Sequence, residues 1–142
     1  YHVGRLDIDT SGLLLLTNDG ELANRLPHPS YEIPKPYIAR VHGEVKPGVR
    51  RRLLEGVELE DGPIAVDSFR TMETYGDITT VEIIVHEGRN RLVRRLMDEV
   101  GYPVRELVRT KFGPIRLEHL QPGTMRRVKG PQLAALYDAV GL

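Results

Sequence analysis

Two carboxylates stand two residues apart near the start of the chain. Asp7 and Asp9 are followed by Thr10, Ser11 and Gly12, so hydroxyl groups and a flexible backbone position adjoin both acids. On one interpretation, both side chains accept hydrogen bonds from backbone N–H groups and only shape a turn. On another, a single Asp acts as a nucleophile or electrostatic stabiliser, with the surrounding loop holding it against a cationic partner. The residue types leave both interpretations open.

The same spacing admits a metal-dependent interpretation. The D-x-D-x-T pattern resembles the phosphotransferase signature of haloacid-dehalogenase-type enzymes, in which one Asp attacks phosphorus, the other transfers a proton and Mg²⁺ bridges. That signature follows a strongly apolar strand, whereas here the apolar run Leu13–Leu16 comes after the two acids. The position of this run argues against the phosphotransferase, and we predict no metal site.

Positive charge is concentrated in one stretch of a neutral chain. The 142 residues include 20 basic and 20 acidic side chains, for a formal net charge of zero. Between residues 89 and 116, however, the basic side chains far outnumber the acidic ones, and all but one of them are arginine. Arginine makes forked contacts with phosphate, so this stretch could bind a polyanion through its local field. A solvated charged face is the plainer alternative.

A predicted helix carries much of this charge. The spacing predicts a helix over Asn90–Val100, capped by Asn90, ended by Gly101 and apolar along one side. Its polar stripe consists of Arg91, Arg94 and Arg95. Arg89 stands at the helix start, where the helix dipole also favours an anion. A ligand rich in phosphate would suit this arrangement.

A cation and an aromatic ring, Lys35 and Tyr37, flank a proline at the entrance of a predicted strand. A tyrosine in this position could stack on a nucleobase. The plainer alternative is a tyrosine at the rim of the core.

Apolar periodicity and chain breakers predict short strands and helices throughout. We predict strands over Leu13–Thr17, Tyr37–Val45, Pro63–Tyr75, Ile78–His86, Pro103–Phe112, Pro114–Leu120 and Thr124–Val128. We predict further helices from an Asn18 or Asp19 cap through Leu26, over Pro47–Glu55 and over Pro131–Val140. Gly76-Asp77 favours a hairpin turn. The connections are short, so we expect one α+β domain over residues 1–142, built on a mostly antiparallel sheet flanked by helices.

Composition excludes several classes of protein. Without cysteine, the chain is no disulfide scaffold, has no Cys-ligated zinc and has no thiol nucleophile. No apolar run approaches the roughly 20 residues of a membrane span. A reducing compartment is permitted, and we predict a cytoplasmic protein. We also expect a monomer, because no exposed apolar stripe is evident.

Taken together, these motifs resemble those of the Rsu/Rlu pseudouridine synthases. The matching residues are Gly4-Arg5-Leu6-Asp7-x-x-Thr10-Ser11-Gly12-Leu13-Leu14-Leu15-Leu16-Thr17-Asn18-Asp19-Gly20, then Lys35-x-Tyr37, then Glu87-Gly88-Arg89-Asn90-Arg91-x-Val93-Arg94-Arg95. Residues 108–126 resemble the closing strands of that family. The stretches Gly20–Leu26 and Glu60–Pro63 look most like the RluB-type enzymes, which modify large-subunit ribosomal RNA.

The resemblance implies isomerisation of a uridine in an RNA hairpin to pseudouridine, with no cofactor and no metal. A flipped uridine would lose its N-glycosidic bond and rejoin the ribose through C5, with Asp7 as nucleophile or base. Arg94 would pair with Asp7, Tyr37 would stack on the uracil, and Leu107 or Val108 would form an apolar wall. The RNA contacts implied are Arg5, Lys35, Arg89, Asn90, Arg91, Arg95, Arg109 and Lys111. A non-catalytic RNA- or ribosome-binding module using the arginines alone is the alternative.

Two features depart from the family pattern. Leu92 stands where Gln or Glu is common. The family also carries an S4-type RNA-binding module before the catalytic domain, and we expect such a module in the full-length protein.

Overall fold

Four helices and eleven short strands make up the protein in a computed structural model that describes residues 1–142. The strands are β1 (His2–Val3), β2 (Ser11–Gly12), β3 (Leu15–Leu16), β4 (Lys35–His42), β5 (Val57–Leu59), β6 (Gly62–Ile64), β7 (Ser68–Tyr75), β8 (Ile78–Val85), β9 (Val104–Arg109), β10 (Lys111–Phe112) and β11 (Ile115–Arg116). The helices are α1 (Gly20–Arg25), α2 (Pro47–Glu55), α3 (Leu92–Glu99) and α4 (Pro131–Ala139), and a 3₁₀ turn spans Pro29–Tyr31.

The central sheet has five strands in the order β2-β9-β4-β8-β7. Every neighbouring pair is antiparallel except β2 and β9, which run parallel. The predicted turn at Gly76-Asp77 joins β7 to β8, and Gly76 has a φ of 62°, a backbone conformation that glycine adopts without strain. The predicted α+β class with a mostly antiparallel sheet is therefore confirmed.

The helices begin and end close to their sequence signals. Helix α2 covers the predicted Pro47–Glu55, with proline in its first turn and Gly56 after its last residue. At α1, the Asp19 carboxylate accepts hydrogen bonds from the N–H groups of Glu21 (3.0 Å) and Leu22 (3.2 Å). This is the predicted N-cap, which satisfies two amides that the helix itself leaves without acceptors.

Three strand predictions were wrong. The run Leu13–Thr17 is not one buried strand, because Leu14 and Leu16 are exposed while Leu13 and Leu15 are buried. Its pairing is limited to the two-residue strands β1 and β3. The long strand predicted from Pro63 divides: its first part, β6, turns back to pair with β5, and only β7 joins the main sheet. Residues 124–128 form no strand.

Two apolar clusters surround the sheet. One packs α2 and α3 against the strands β4, β8 and β9, and the other lies between α1, α4 and the β10–β11 hairpin. A cavity opens between the two clusters and is lined by residues of both, including Leu107 from the first and Phe112 from the second. None of the helices combines the length and the apolarity needed to cross a bilayer.

Candidate active site

The cavity between the clusters has a volume of about 280 Å³ and is lined by residues from five separate parts of the chain. Strands β4 and β9 supply one wall, because Tyr37 lies directly opposite Arg109 in the register and side chains two residues apart share a face. Leu107 and Lys35 therefore line the same wall. Thus Asp7 and Tyr37, thirty residues apart in sequence, face one cavity, as the motif resemblance implied.

Asp7 stands at the first position of a tight turn on the cavity wall. The Thr10 amide donates a 3.0 Å hydrogen bond to the Asp7 carbonyl, which closes the turn over Ile8 and Asp9. The Asp7 side chain is half-buried, and its carboxylate makes no hydrogen bond and no ion pair within the protein. The turn interpretation is correct for its backbone, but its carboxylate is left free toward the cavity.

Asp9 has the opposite environment. Both of its carboxylate oxygens accept hydrogen bonds from Arg91, at 2.9 and 3.0 Å. Arg94 donates from Nη2 to the Asp9 carbonyl at 2.6 Å, and its Nε lies 3.3 Å from the Asp9 carboxylate. The hydrogen bonds from Arg91 hold the pKa of Asp9 below its usual range. The expected pairing of Arg94 with Asp7 is therefore corrected: in this structure Arg94 binds Asp9.

The start of α3 follows from these contacts. Arg91 precedes the helix with a φ of 51°, in the left-handed region that a bulky residue seldom adopts. This conformation accompanies the forked contact of its guanidinium with Asp9. The helix consequently begins at Leu92, and the predicted side-chain cap by Asn90 was wrong. Leu92 itself is buried and lines the cavity. It therefore presents an apolar side chain to the cavity at a position where the family commonly has Gln or Glu.

Two arginines predicted to contact RNA instead fasten the β5–β6 hairpin. Arg89 donates to the carbonyls of Gly62 and Pro63, both at 3.0 Å. Arg95 makes a forked contact with the Asp61 carboxylate at 2.9 and 3.0 Å, which lowers the pKa of Asp61. These guanidinium groups already have protein partners, and their contact with RNA stays a prediction. Asn90 is exposed, and its carbonyl accepts a hydrogen bond from Arg95 Nε.

Arg109 was also predicted to contact RNA, but it is only 3% exposed. Its Nε donates to the Leu13 carbonyl at 2.9 Å, and its Nη1 lies 3.4 Å from the Arg5 carbonyl. These two carbonyls stand on either side of Asp7 in the chain. Arg109 therefore clamps both ends of the loop that carries Asp7, and its contact with RNA stays a prediction.

Lys35 is a second buried cation, 4% exposed. Its Nζ lies 5.7 Å from the centre of the Phe112 ring, and Arg109 lies 5.1 Å from that centre. The ammonium makes no hydrogen bond and no ion pair. Burial, together with the nearby charge of Arg109, lowers the pKa of Lys35 to about 8.

This burial predicts a dependence of stability on pH. The unfolded chain holds the Lys35 proton up to a pH near 10.5 and the folded protein only to about 8, so the free energy of unfolding should rise between those values. Lys35→Met removes the buried charge and should stabilise the protein at pH 7 by on the order of 3 kcal/mol. Urea unfolding at pH 7 and pH 10.5 tests this: the gain should shrink toward zero at the higher pH. A gain that is equal at both values would contradict it.

The remaining predicted cations differ in accessibility. Arg5 is exposed at the mouth of the cavity and makes no ion pair through its side chain. Lys111 is half-buried on β10, outside the cavity lining. Arg5 is thus the cation at the cavity that is open to a ligand arriving from solvent.

Sequence reasoning missed Phe112 and did not find the role of Gly12. The Phe112 ring lines the cavity, and its centre lies 5.7 Å from Lys35 Nζ and 5.1 Å from the Arg109 guanidinium. Gly12 has a φ of 114°, and a side chain there would overlap the backbone nitrogen and carbonyl of Arg109. The parallel pairing of β2 with β9 requires this glycine. The alternation of β9, which puts Arg109 on the inward face with Leu107, was the available signal for the burial of Arg109.

The carboxylates do not form a metal-binding group. No cluster of three or more His, Cys, Asp or Glu side chains is placed to hold a metal ion. Asp9, which would be the second acid of a phosphotransferase pair, is already bound by two arginines.

The sheet and its cavity define the fold of a pseudouridine synthase. A crystal structure of pseudouridylate synthase matches this structure with a TM-score of 0.84 and 31% sequence identity, over 96% of this chain and 59% of that one. The chain belongs to the RNA pseudouridylate synthase family, whose model matches residues 1–99. The predicted family is therefore confirmed.

Two relatives illustrate the likeness. An uncharacterized RNA pseudouridine synthase of Mycobacterium tuberculosis is 52% identical over 142 residues, which cover 100% of this chain and 56% of the relative. The ribosomal large subunit pseudouridine synthase B of Pseudomonas aeruginosa is 47% identical over 99% of this chain and 37% of its own length. The chain thus spans 56% of the length of the first relative and 37% of the length of the second.

Proposed function

We propose that the protein isomerises a uridine of large-subunit ribosomal RNA to pseudouridine, with Asp7 as the reacting carboxylate. Asp7 is the free acid of the pair: it lines the cavity with Tyr37 and has no protein partner, whereas Asp9 is bound by Arg91 and Arg94. This difference between two neighbouring acids is the observation that carries the proposal. Relatives named as synthases of the large ribosomal subunit support the choice of RNA.

The cavity accounts for the steps of such a reaction. A uridine in a hairpin must unstack and flip out to reach Asp7, and this costs about a few kcal/mol. The Tyr37 ring offers a face on which the uracil stacks, and Leu107, 6% exposed, supplies an apolar wall. The N1–C1′ bond breaks, the base turns within the cavity, and C5 bonds to C1′. With the uridine seated in the cavity, Tyr37 and Leu107 shield the detached base from water and keep it from being lost.

The direct test is turnover by the purified protein. A ribosomal RNA hairpin that folds without magnesium is incubated with the protein in EDTA, and pseudouridine is mapped nucleotide by nucleotide. We expect stoichiometric conversion at one uridine, unchanged by EDTA. Binding without conversion would favour the RNA-binding module. No pseudouridine, together with release of phosphate from a phosphate ester that EDTA abolishes, would favour the phosphotransferase. Comparing ribosomal RNA from cells with and without the gene then identifies the target.

Arg5 provides a separate prediction about RNA binding. Its exposed guanidinium at the cavity mouth is placed to contact a phosphate beside the flipped nucleotide. Arg5→Ala should weaken RNA binding several-fold and reduce the slope of log K against log salt by about 0.9, the value for one phosphate contact. Arg52→Ala, on the exposed part of α2, is the matched control and should leave the slope unchanged. If the slope for Arg5→Ala equalled that of the wild-type protein, Arg5 would not contact a phosphate.

Three other features of the whole protein stay predictions. They are an S4-type module that shares in choosing the RNA, a monomeric state and a cytoplasmic location. Gel filtration of the purified protein measures the second directly.

A further inference from the structure

Lys35 is a buried charge that the scaffold does not use. It is 4% exposed, lines the cavity and has neither a hydrogen bond nor an ion pair. Buried ammonium groups are unfavourable unless a partner compensates them. The acids that affect it electrostatically, Asp67 and Glu87, make no salt bridge with it. The Lys35 ammonium is not among the fully enclosed polar atoms, so it is open to the cavity, where a bound ligand can supply the missing partner.

The other cavity cations are not available for this role. Arg91 is bound to Asp9, and Arg89 is bound to Glu87 and the β5–β6 hairpin. Arg109 has two of its nitrogens on backbone carbonyls, and its Nη2 is buried without a partner. Arg5 lies exposed at the mouth. Lys35 is the remaining cation, and it sits deep in the wall.

The position of Lys35 relative to Tyr37 fixes what it can reach. The two residues are two apart on β4, so their side chains share a face, with Cα atoms roughly 7 Å apart. A pyrimidine stacked on the Tyr37 ring therefore lies beside Lys35, which lines the same wall of the cavity. The polar atoms that uracil can present to Lys35 are its carbonyl oxygens and its N3–H, and only the oxygens accept a hydrogen bond from an ammonium group.

We propose that Lys35 Nζ donates a hydrogen bond to a carbonyl oxygen of the target uracil and stabilises the negative charge that this oxygen gains during isomerisation. This inference rests on the proposed function. It assigns Lys35 to a carbonyl oxygen of the reacting base, where the resemblance implied only a contact with RNA.

The charge appears on a carbonyl oxygen whichever atom Asp7 first engages. If the carboxylate adds to C6, the C5=C6 electron pair moves toward O4. If it acts at the sugar, the N1–C1′ bond breaks with its electron pair on N1, and the charge spreads over O2 and O4. The electron pair at C5 then forms the bond to C1′, and any bond that Asp7 has made to C6 or to the sugar breaks and returns the free carboxylate. The C5 proton is lost and N1 gains a proton. A fixed cation at the cavity wall lowers the energy of each such intermediate without consuming a reagent.

The test compares Lys35→Met with the wild-type protein in single turnover. Removing one donor to a developing oxyanion typically lowers the chemical rate by about 10²–10³-fold. We expect a loss of that size at saturating RNA, with the dissociation constant for RNA unchanged within about twofold. Lys46→Met, an exposed lysine before α2, is the control and should keep the wild-type rate. If weaker RNA binding explained the whole loss, Lys35 would be a residue that binds RNA without acting on the base, and the proposal would be overturned.

A substrate change separates a contact with the base from misfolding. In RNA carrying 4-thiouridine or 2-thiouridine at the target, sulfur accepts hydrogen bonds weakly and disperses negative charge by itself. The defect of Lys35→Met should shrink to within about tenfold on whichever thiouridine replaces the contacted oxygen. Equal defects on uridine and on both thiouridines would overturn the proposal. If the wild type makes no pseudouridine the proposed function fails, whereas an active wild type with an equally active Lys35→Met refutes this inference alone.

Discussion

Replacing Asp7 with Asn is expected to lower the rate of pseudouridine formation by at least about 10³-fold, the scale seen when a reacting side chain is removed from an enzyme. Asn keeps the shape of Asp but cannot attack carbon or accept a proton at neutral pH. Because the Asp7 carboxylate makes no contact within the protein, folding and RNA affinity should stay near their wild-type values. Single-turnover conversion, RNA titration and thermal unfolding measure the three quantities separately.

Asp9→Asn is the matched control for that experiment. It leaves the Asp7 carboxylate in place and removes the charge to which Arg91 and Arg94 bind. We expect a lower unfolding temperature and reduced but measurable turnover, because the loop is held less firmly. Turnover within tenfold of the wild type in Asp7→Asn would remove Asp7 from the reaction. If Asp9→Asn had no turnover while Asp7→Asn stayed active, Asp9 and not Asp7 would be the reacting acid.

Gly12→Ala is expected to have the largest effect on stability. The added methyl group would meet backbone atoms of Arg109, which cannot turn away as a side chain can, and alanine is strained at a φ of 114°. Strain and overpacking together should lower the free energy of unfolding by ~2–4 kcal/mol. Activity should fall as well, since parting β2 from β9 moves the loop that carries Asp7. Urea unfolding measures the first effect.

Gly48→Ala provides the comparison. Gly48 lies within α2, and a methyl group there would meet no atom within 4 Å. Alanine favours the helix over glycine, so this variant should be more stable by about 0.5–1 kcal/mol. Similar stability changes in the two variants would contradict the close-approach argument for Gly12.

Local signals in the sequence predicted the elements that local chemistry decides. The prolines and glycines around α2, the Asp19 cap of α1 and the Gly76-Asp77 turn each act within a few residues. The wrong strand at Leu13–Thr17 had the same apolar composition as a buried strand. The run pairs only through its two residues Leu15 and Leu16, with β1, and its leucines alternate between buried and exposed, which apolar composition alone does not indicate.

The resemblance predicted which residues lie at the site, but it did not predict which acid binds the arginines. The family resemblance implied that Asp7, Tyr37 and Leu107 share one site, and all three line the cavity. Spacing could not tell which of two acids, two residues apart, meets a guanidinium from α3. That choice depends on the left-handed conformation of Arg91 and the close approach at Gly12, both products of tertiary packing.

The two tethers of the Asp7 loop have a consequence for how the protein matures. Asp9 is held by residues more than eighty positions downstream, and the carbonyls of Arg5 and Leu13 are held by Arg109. Closing such long loops is entropically unfavourable until the docking surfaces exist. A nascent chain that has already exposed Asp7 and Tyr37 therefore lacks an ordered reaction centre until the ribosome has also released β9. An ordered reaction centre therefore cannot form before β9 joins the central sheet.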